Sequence, residues 1–171
     1  MKKLFLISMM AMLTMTVVAR SHAAFENAKV VADTIYYSDS KLQVASRADA
    51  SYYRILMTNT VGGKQQDLFR DYYMNGKLKA QGGYQFVDLS NDKNTVLDGE
   101  ITTYYINGNE KMHGTYRDGK RQGYFTARMR DGSIAVIEYD NGVSKYDYFM
   151  VSHPNGITEK RPISEVKSLL Q

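Results

Sequence analysis

The chain has no cysteine and no tryptophan. Without cysteine there is no disulfide, no thiolate zinc ligand and no thiol nucleophile. A lipid-modified N-terminal cysteine is excluded for the same reason. Proline occurs only at Pro154 and Pro162, and histidine only at His22, His113 and His153. Long apolar runs are also missing after the first 23 residues. The excess of cations is small and misplaced. The whole chain carries 22 Lys and Arg against 18 Asp and Glu. Lys2, Lys3 and Arg20 belong to an N-terminal stretch with no acidic residue, and removing them leaves 19 against 18, a net +1. The pI near 9.1 therefore belongs largely to that stretch. Nucleic-acid binding calls for a basic stripe well above this balance, so no nucleic acid is expected as a partner.

The N-terminal stretch reads as a secretory signal peptide. Lys2 and Lys3 form its basic part and Leu4 to Val18 its apolar part. Ser21 and Ala23 supply small residues at the −3 and −1 positions of a cleavage site. The apolar part is 15 residues long, short of the ~20 that span a bilayer; a retained anchor helix is the alternative. The expectation is an exported bacterial protein, periplasmic or secreted, cleaved after Ala23 to leave 148 residues (171 minus 23). That length suits one domain.

The remaining chain holds 14 tyrosines and 13 glycines, a composition that favours strands and turns. From residue 66 it repeats. Asn-Gly or Asp-Gly occurs at Asn75-Gly76, Asp98-Gly99, Asn107-Gly108, Asp118-Gly119, Asp131-Gly132, Asn141-Gly142 and Asn155-Gly156. Hairpin turns need positive φ, which Gly, Asn and Asp tolerate best. Alternate markers recur every 23 or 24 residues, as from Asn107 to Asp131 and from Asp118 to Asn141. That step holds two strands and two turns, the signature of a repeat architecture.

Strands are expected at 67–73, 78–87, 100–106, 111–116, 123–129, 133–139 and 143–151, with two earlier ones at 28–37 and 51–57. Alternation places Phe125, Ala127 and Met129 on one face and Tyr124, Thr126 and Arg128 on the other. Ala135, Ile137 and Tyr139 likewise oppose Ile134, Val136 and Glu138. Residues 46–49 read as a short turn, 58–64 as a flexible loop and 87–98 as an enlarged turn. Ile163, Val166, Leu169 and Leu170 are at helical spacing after Pro162. The fold expected is all-β: an antiparallel meander of stacked hairpin repeats forming an elongated twisted sheet, capped by a short C-terminal helix. Its divisions are 1–23 signal peptide, 24–65 N-terminal β segment, 66–156 hairpin repeats and 157–171 capping helix.

The run from Gly114 through Thr115-Tyr116-Arg117-Asp118-Gly119-Lys120-Arg121-Gln122 to Gly123 resembles a MORN repeat, in the variant form common in bacteria. Tyr73-Met74-Asn75-Gly76-Lys77 and Tyr105-Ile106-Asn107-Gly108 match the same core, and Tyr139-Asp140-Asn141-Gly142 matches it more loosely. Ser133 and Val143 stand where the pattern has Lys. The resemblance covers residues 66–156 and implies a hairpin meander used as an interaction surface. The antitoxin label often given to bacterial members is not carried over, because an exported chain would not meet a cytoplasmic toxin.

Motifs of chemistry are few. Gly114, Gly119 and Lys120 satisfy G-x-x-x-x-G-K, but Arg121 follows where a P-loop needs Ser or Thr and a helix. Glu110 and His113 are too few for a zinc site and, three apart on a strand, face opposite ways. His153 beside Pro154 reads as a loop residue. No serine sits in G-x-S-x-G. Asp118, Asp131 and Asp140 lie at turns, where Asp serves the backbone. No enzyme activity, cofactor or metal is expected.

The candidate partner-binding residues are Tyr104, Tyr116, Tyr124, Tyr146 and Tyr148, because tyrosine joins a rigid apolar ring to a polar tip. The leading expectation is a non-catalytic exported module that binds an envelope protein. A glycan- or lipid-binding surface is the second, and a membrane surface is left open as a partner. The lipid form expects a basic rim of Lys120, Arg121, Arg128 and Arg130. A hydrolase is the third, and expects a pocket with converging carboxylates.

Overall fold

The computed structural model describes residues 24–166. The expected signal peptide and the last five residues of the expected capping helix lie outside the described residues. The rest is an open twelve-stranded antiparallel sheet. Its central meander runs through β3 (Tyr52–Val61), β4 (Lys64–Tyr73), β5 (Leu78–Phe86), β6 (Val96–Tyr104), β7 (Glu110–Arg117), β8 (Lys120–Arg128) and β9 (Ile134–Asp140). Two short strands, β1 (Lys29–Val30) and β2 (Ile35–Tyr37), lie along the outer edge of β3. On the other side, β11 (Tyr148–Ser152) pairs with β9 and β12 (Thr158–Pro162) forms the edge, while β10 (Val143–Ser144) closes a short hairpin on β9. The sheet passes unbroken through residues 65 and 66, inside β4.

The turns follow backbone chemistry. At one end of the sheet, Gly76, Gly108, Gly132 and Gly156 take φ between 82° and 95°. Each donates its N–H to the carbonyl three residues back, in Tyr73, Tyr105, Met129 and His153. The Asn or Asp before each Gly accepts from the backbone N–H two residues on, as Asn75 does from Lys77. At the other end, Asp118-Gly119 and Asn141-Gly142 make two-residue turns with both φ values positive.

Five expectations are corrected. Residues 58–64 are no loop: Gly62 and Gly63, at φ 59° and 77°, close a tight turn between two ten-residue strands. Asp98-Gly99 is not a turn but a bulge inside β6, where Gly99 has φ 83°. Bulge and turn share the need for positive φ, and the reversal is made instead by residues 87–95. Segments 28–37 and 143–151 are each two strands, because the register jumps between their halves. The 157–171 segment begins with a strand, since the turn at Asn155-Gly156 returns the chain onto the free edge of β11. Among the described residues the expected helix shows a 3-10 turn at Ile163–Glu165, with Ile163 and Val166 seated on the core.

One face of the sheet is the core. Tyr52, Leu56, Phe69, Ala80, Ile101, Phe125, Ala127, Ala135, Ile137, Tyr139, Phe149 and Val151 are all buried, as the alternation on β8 and β9 predicts. Tyr116 packs against both halves of this core. The sheet must curl over its own face, and glycine makes this feasible. Phe125 lies flat across Gly114 on the neighbouring strand, and a Cβ there would stand 2.5 Å from the ring. Ile101 lies over Gly82 in the same way, at 2.2 Å. Each large residue follows a bulge glycine by two positions, Gly123 before Phe125 and Gly99 before Ile101. Bulges sharpen twist and bend a strand, so the same two hairpins supply both the bend and its filling.

Gly114→Ala is therefore expected to destabilise the fold by about 2 kcal/mol, the usual effect of overpacking. Adding Phe125→Leu should recover part of the loss. Urea unfolding of both variants measures this, and an unchanged midpoint for Gly114→Ala would remove the packing argument.

Candidate functional site

The structure separates the five candidate tyrosines. Tyr124 is 56% exposed and Tyr146 43% exposed, both away from the core. Tyr148 stacks on Tyr146 with ring centres 5.3 Å apart. Lys160 lies over the Tyr148 ring at 4.1 Å and Lys145 near Tyr146 at 5.7 Å. Lys145 also pairs with Glu138 at 2.6 Å, and Glu138 is the cross-strand neighbour of Tyr124. Burial and Glu138 push the Tyr124 hydroxyl above its ordinary value. These three tyrosines form one cluster on the solvent face. Tyr104 stands apart, toward the opposite end of β6, and accepts from Gln81 Nε2 at 3.2 Å. Tyr116 lies on the core face, edge-on to Phe125.

A second tyrosine row went unread in the sequence. Tyr36, Tyr53 and Tyr72 are register partners across β2, β3 and β4. Tyr53 and Tyr72 stack at 5.2 Å, and Tyr36 tilts against Tyr53 at 6.2 Å. All three are half-buried. They precede or overlap the start of the repeats, so no periodicity marks them.

The cations expected to form a rim do not meet. Lys120 and Arg121 begin β8, whereas Arg128 ends it and Arg130 lies in the next turn. His113 Nδ1 is 3.0 Å from Thr102 Oγ1 on the adjacent strand. Among the described residues no group of three His, Asp or Glu side chains could hold a metal ion.

An open cleft of about 570 Å³ lies where the N-terminal residues Ala24 and Phe25 meet β4, β5 and β6. Its acidic lining is Asp67, Asp98 and Glu100, with Tyr84 and three glutamines beside them. Asp67 Oδ1 accepts from Thr58 Oγ1 at 3.2 Å and Gln65 Nε2 at 2.9 Å. Asp98 Oδ1 accepts from the Asp118 N–H at 3.2 Å. No histidine, serine or lysine lines the cleft, so the groups it offers for chemistry are carboxylates, the type of set the hydrolase reading expects. The turn residues Asp118, Asp131 and Asp140 lie outside it and accept from Gln85, Ser133 and Gln122.

One set has the composition of a catalytic triad. His153 Nδ1 is 2.9 Å from Ser133 Oγ, and Nε2 is 3.3 Å from Glu159. Ser133 is fully buried, so no substrate carbonyl can approach its oxygen. The set joins the turn after β8 to the turn after β11, which gives His153 a structural task.

The most concentrated charge is also buried, and no sequence signal marked it. Arg54 on β3 makes a two-pronged contact to Asp71 on β4, at 2.7 and 2.8 Å. Its Nη1 donates to Asp92 at 2.5 Å and to Thr95 at 3.2 Å. Tyr52 donates to Asp92 at 2.6 Å. The guanidinium lies over Phe69 at 4.5 Å, and Lys79 over Tyr52 at 3.9 Å. Burial pushes the Asp71 carboxyl up against the pull of Arg54, and Lys79 down. Burial would raise Asp92 too, but Arg54 and the Tyr52 and Thr95 hydroxyls hold it below the ordinary carboxylate value. Burial disfavours the charge on Arg54, and the two carboxylates more than restore it. The two-pronged hydrogen bonds from Arg54 oppose the effect of burial on Asp71. The cluster binds the 87–95 connection to the core face and leaves its groups occupied with one another.

No family model matches the chain, and no curated protein and no solved structure is significantly similar to it.

Arg54→Met should leave Asp71 and Asp92 buried without their cation and lower stability by about 3–5 kcal/mol. A carboxylate with a depressed folded pKa stabilises above its unfolded value, near 4, and loses that contribution as pH falls through its folded value. Asp92→Asn is thus expected to lower the melting temperature at pH 7, with the gap to wild type narrowing from about pH 4 downward. Melting curves across pH check this; a gap constant from pH 7 to pH 2 would contradict it.

Proposed function

We propose that the protein is a non-catalytic, exported module of the cell envelope that holds a protein partner on the solvent face of its sheet. One observation carries the reading: Tyr124, Tyr146 and Tyr148 gather on the face opposite the main core, two of them well exposed. Tyrosine is enriched at interface hot spots because a rigid ring contributes much contact area for little lost freedom. The Tyr36–Tyr53–Tyr72 row extends the same surface toward the other edge. The hairpin meander agrees with the use that the MORN resemblance implies. Tyr116, on the core face, is left out of this surface.

The cleft favours a second reading, a glycan-binding accessory surface. Carboxylates and amides grouped beside Tyr84 suit sugar hydroxyls and a ring face.

A photo-crosslinking residue at position 124 in living cells tests the first reading. One discrete envelope-protein adduct is expected, absent when the probe stands at Val61 on a distant hairpin tip. Tyr146→Ala with Tyr148→Ala should reduce its yield about tenfold, the effect of losing a hot spot. No adduct from position 124, or equal adducts from position 61, would overturn the reading.

A further inference from the structure

Arg121 is fixed in place by aromatic side chains. It opens β8 on the core face, in register with Tyr116 on β7. Tyr139 on β9 faces Gly123, two residues further along β8. Arg121 Nε donates to the Tyr116 hydroxyl and Nη1 to the Tyr139 hydroxyl, each at 3.4 Å. The guanidinium carbon stands 5.2 Å from the centre of the Tyr139 ring and 5.7 Å from that of Phe125. Those rings are locked in turn, because Phe125 meets both Tyr116 and Tyr139 edge to face. Among the described residues no carboxylate lies within ion-pair distance of Arg121. Arg54, the arginine seated on Phe69, has two. Burial works against the charge on Arg121, yet the two tyrosines hold it above its ordinary value.

The donors converge. A guanidinium has five N–H groups, and two are engaged among the described residues. Each tyrosine oxygen that accepts from Arg121 keeps its own hydrogen to donate. Gly123 lies beside them in the same strand as Arg121, and a side chain there would meet no atom within 4 Å. We propose that Arg121, Tyr116 and Tyr139 form a binding site for a carboxylate group. The planar fork matches a carboxylate in two parallel hydrogen bonds, and a tyrosine hydroxyl flanks each side. The charge balance fits a monoanion. Lys120 alternates to the opposite face, so a single cation serves the site, whereas a phosphate monoester brings about −1.5 to −2. The site lies on the other face from Tyr124 and does not depend on the partner surface proposed above.

Titration of the full processed protein, read at the Gly123 amide by NMR, tests this with two probes, succinate and a tri-glutamate peptide. A saturable shift is expected, with a dissociation constant on the order of 1 mM. Arg121→Gln should abolish it. Tyr116→Phe with Tyr139→Phe, which keeps both rings, should weaken it about tenfold, and Arg121→Lys should do the same because the fork is lost. Equal affinity for the probes assigns the site to a free acid; a peptide at least about tenfold tighter assigns it to acidic side chains of a partner. No shift with either probe, the same shift with sodium chloride, or unchanged binding in Arg121→Gln overturns the proposal.

Discussion

Phe125 lies across Gly114, and much of the molecule follows from that contact. Among the described residues there is no second sheet and no long helix to cover the first. The apolar face can leave water only if the sheet bends over it. Glycine on one strand makes room for a large side chain from the next, and a bulge glycine two residues earlier provides the bend. The device occurs twice, as Gly114 with Phe125 and Gly82 with Ile101. Burying a residue of this size contributes about 1.5–3 kcal/mol, and the glycines remove the overlap that would cancel it.

The curled sheet leaves its ends and its edges to be managed. The 87–95 connection crosses one half of the core and is held there by Arg54 through Asp92. The Ile163–Glu165 turn seats Ile163 and Val166 on the other half. The outer face is then free of structural duty at Tyr124 and Tyr146, while Met57 and Leu68 on that face are covered by Phe25. The proposed partner surface, the cleft and the proposed carboxylate site thus fall in three places.

Most turns and strands were legible because their causes are local. Asn107-Gly108 or Asp118-Gly119 states its backbone geometry in two letters, and the alternation in 123–129 and 133–139 states which face is buried. Asp98-Gly99 misled because a bulge asks for the same residues as a turn. The edge strand β12 was hidden by Ile163 and Val166, whose spacing fits a helical turn that does form, though after the strand. The Arg54 cluster was illegible for another reason. Its members are 17 and 38 residues from Arg54, and nothing in the neighbourhood of Asp71 or Asp92 distinguishes them from surface acids. Tyr116 lies on the core face, as does Tyr139 at the equivalent position of the next repeat, each two residues before an Asp-Gly or Asn-Gly turn, whereas the exposed Tyr124 and Tyr146 follow their turns.

The central claim is that one face of a single sheet is the main core and that the other is displayed at Tyr124 and Tyr146. Tyrosine nitration of the native protein, mapped by peptide mass spectrometry over time, tests it most directly. The account predicts that Tyr124 and Tyr146 react first, while Tyr37, Tyr52 and Tyr139, at most 6% exposed, react only on unfolding. Nitration of Tyr52 or Tyr139 at the rate of Tyr124 would contradict it.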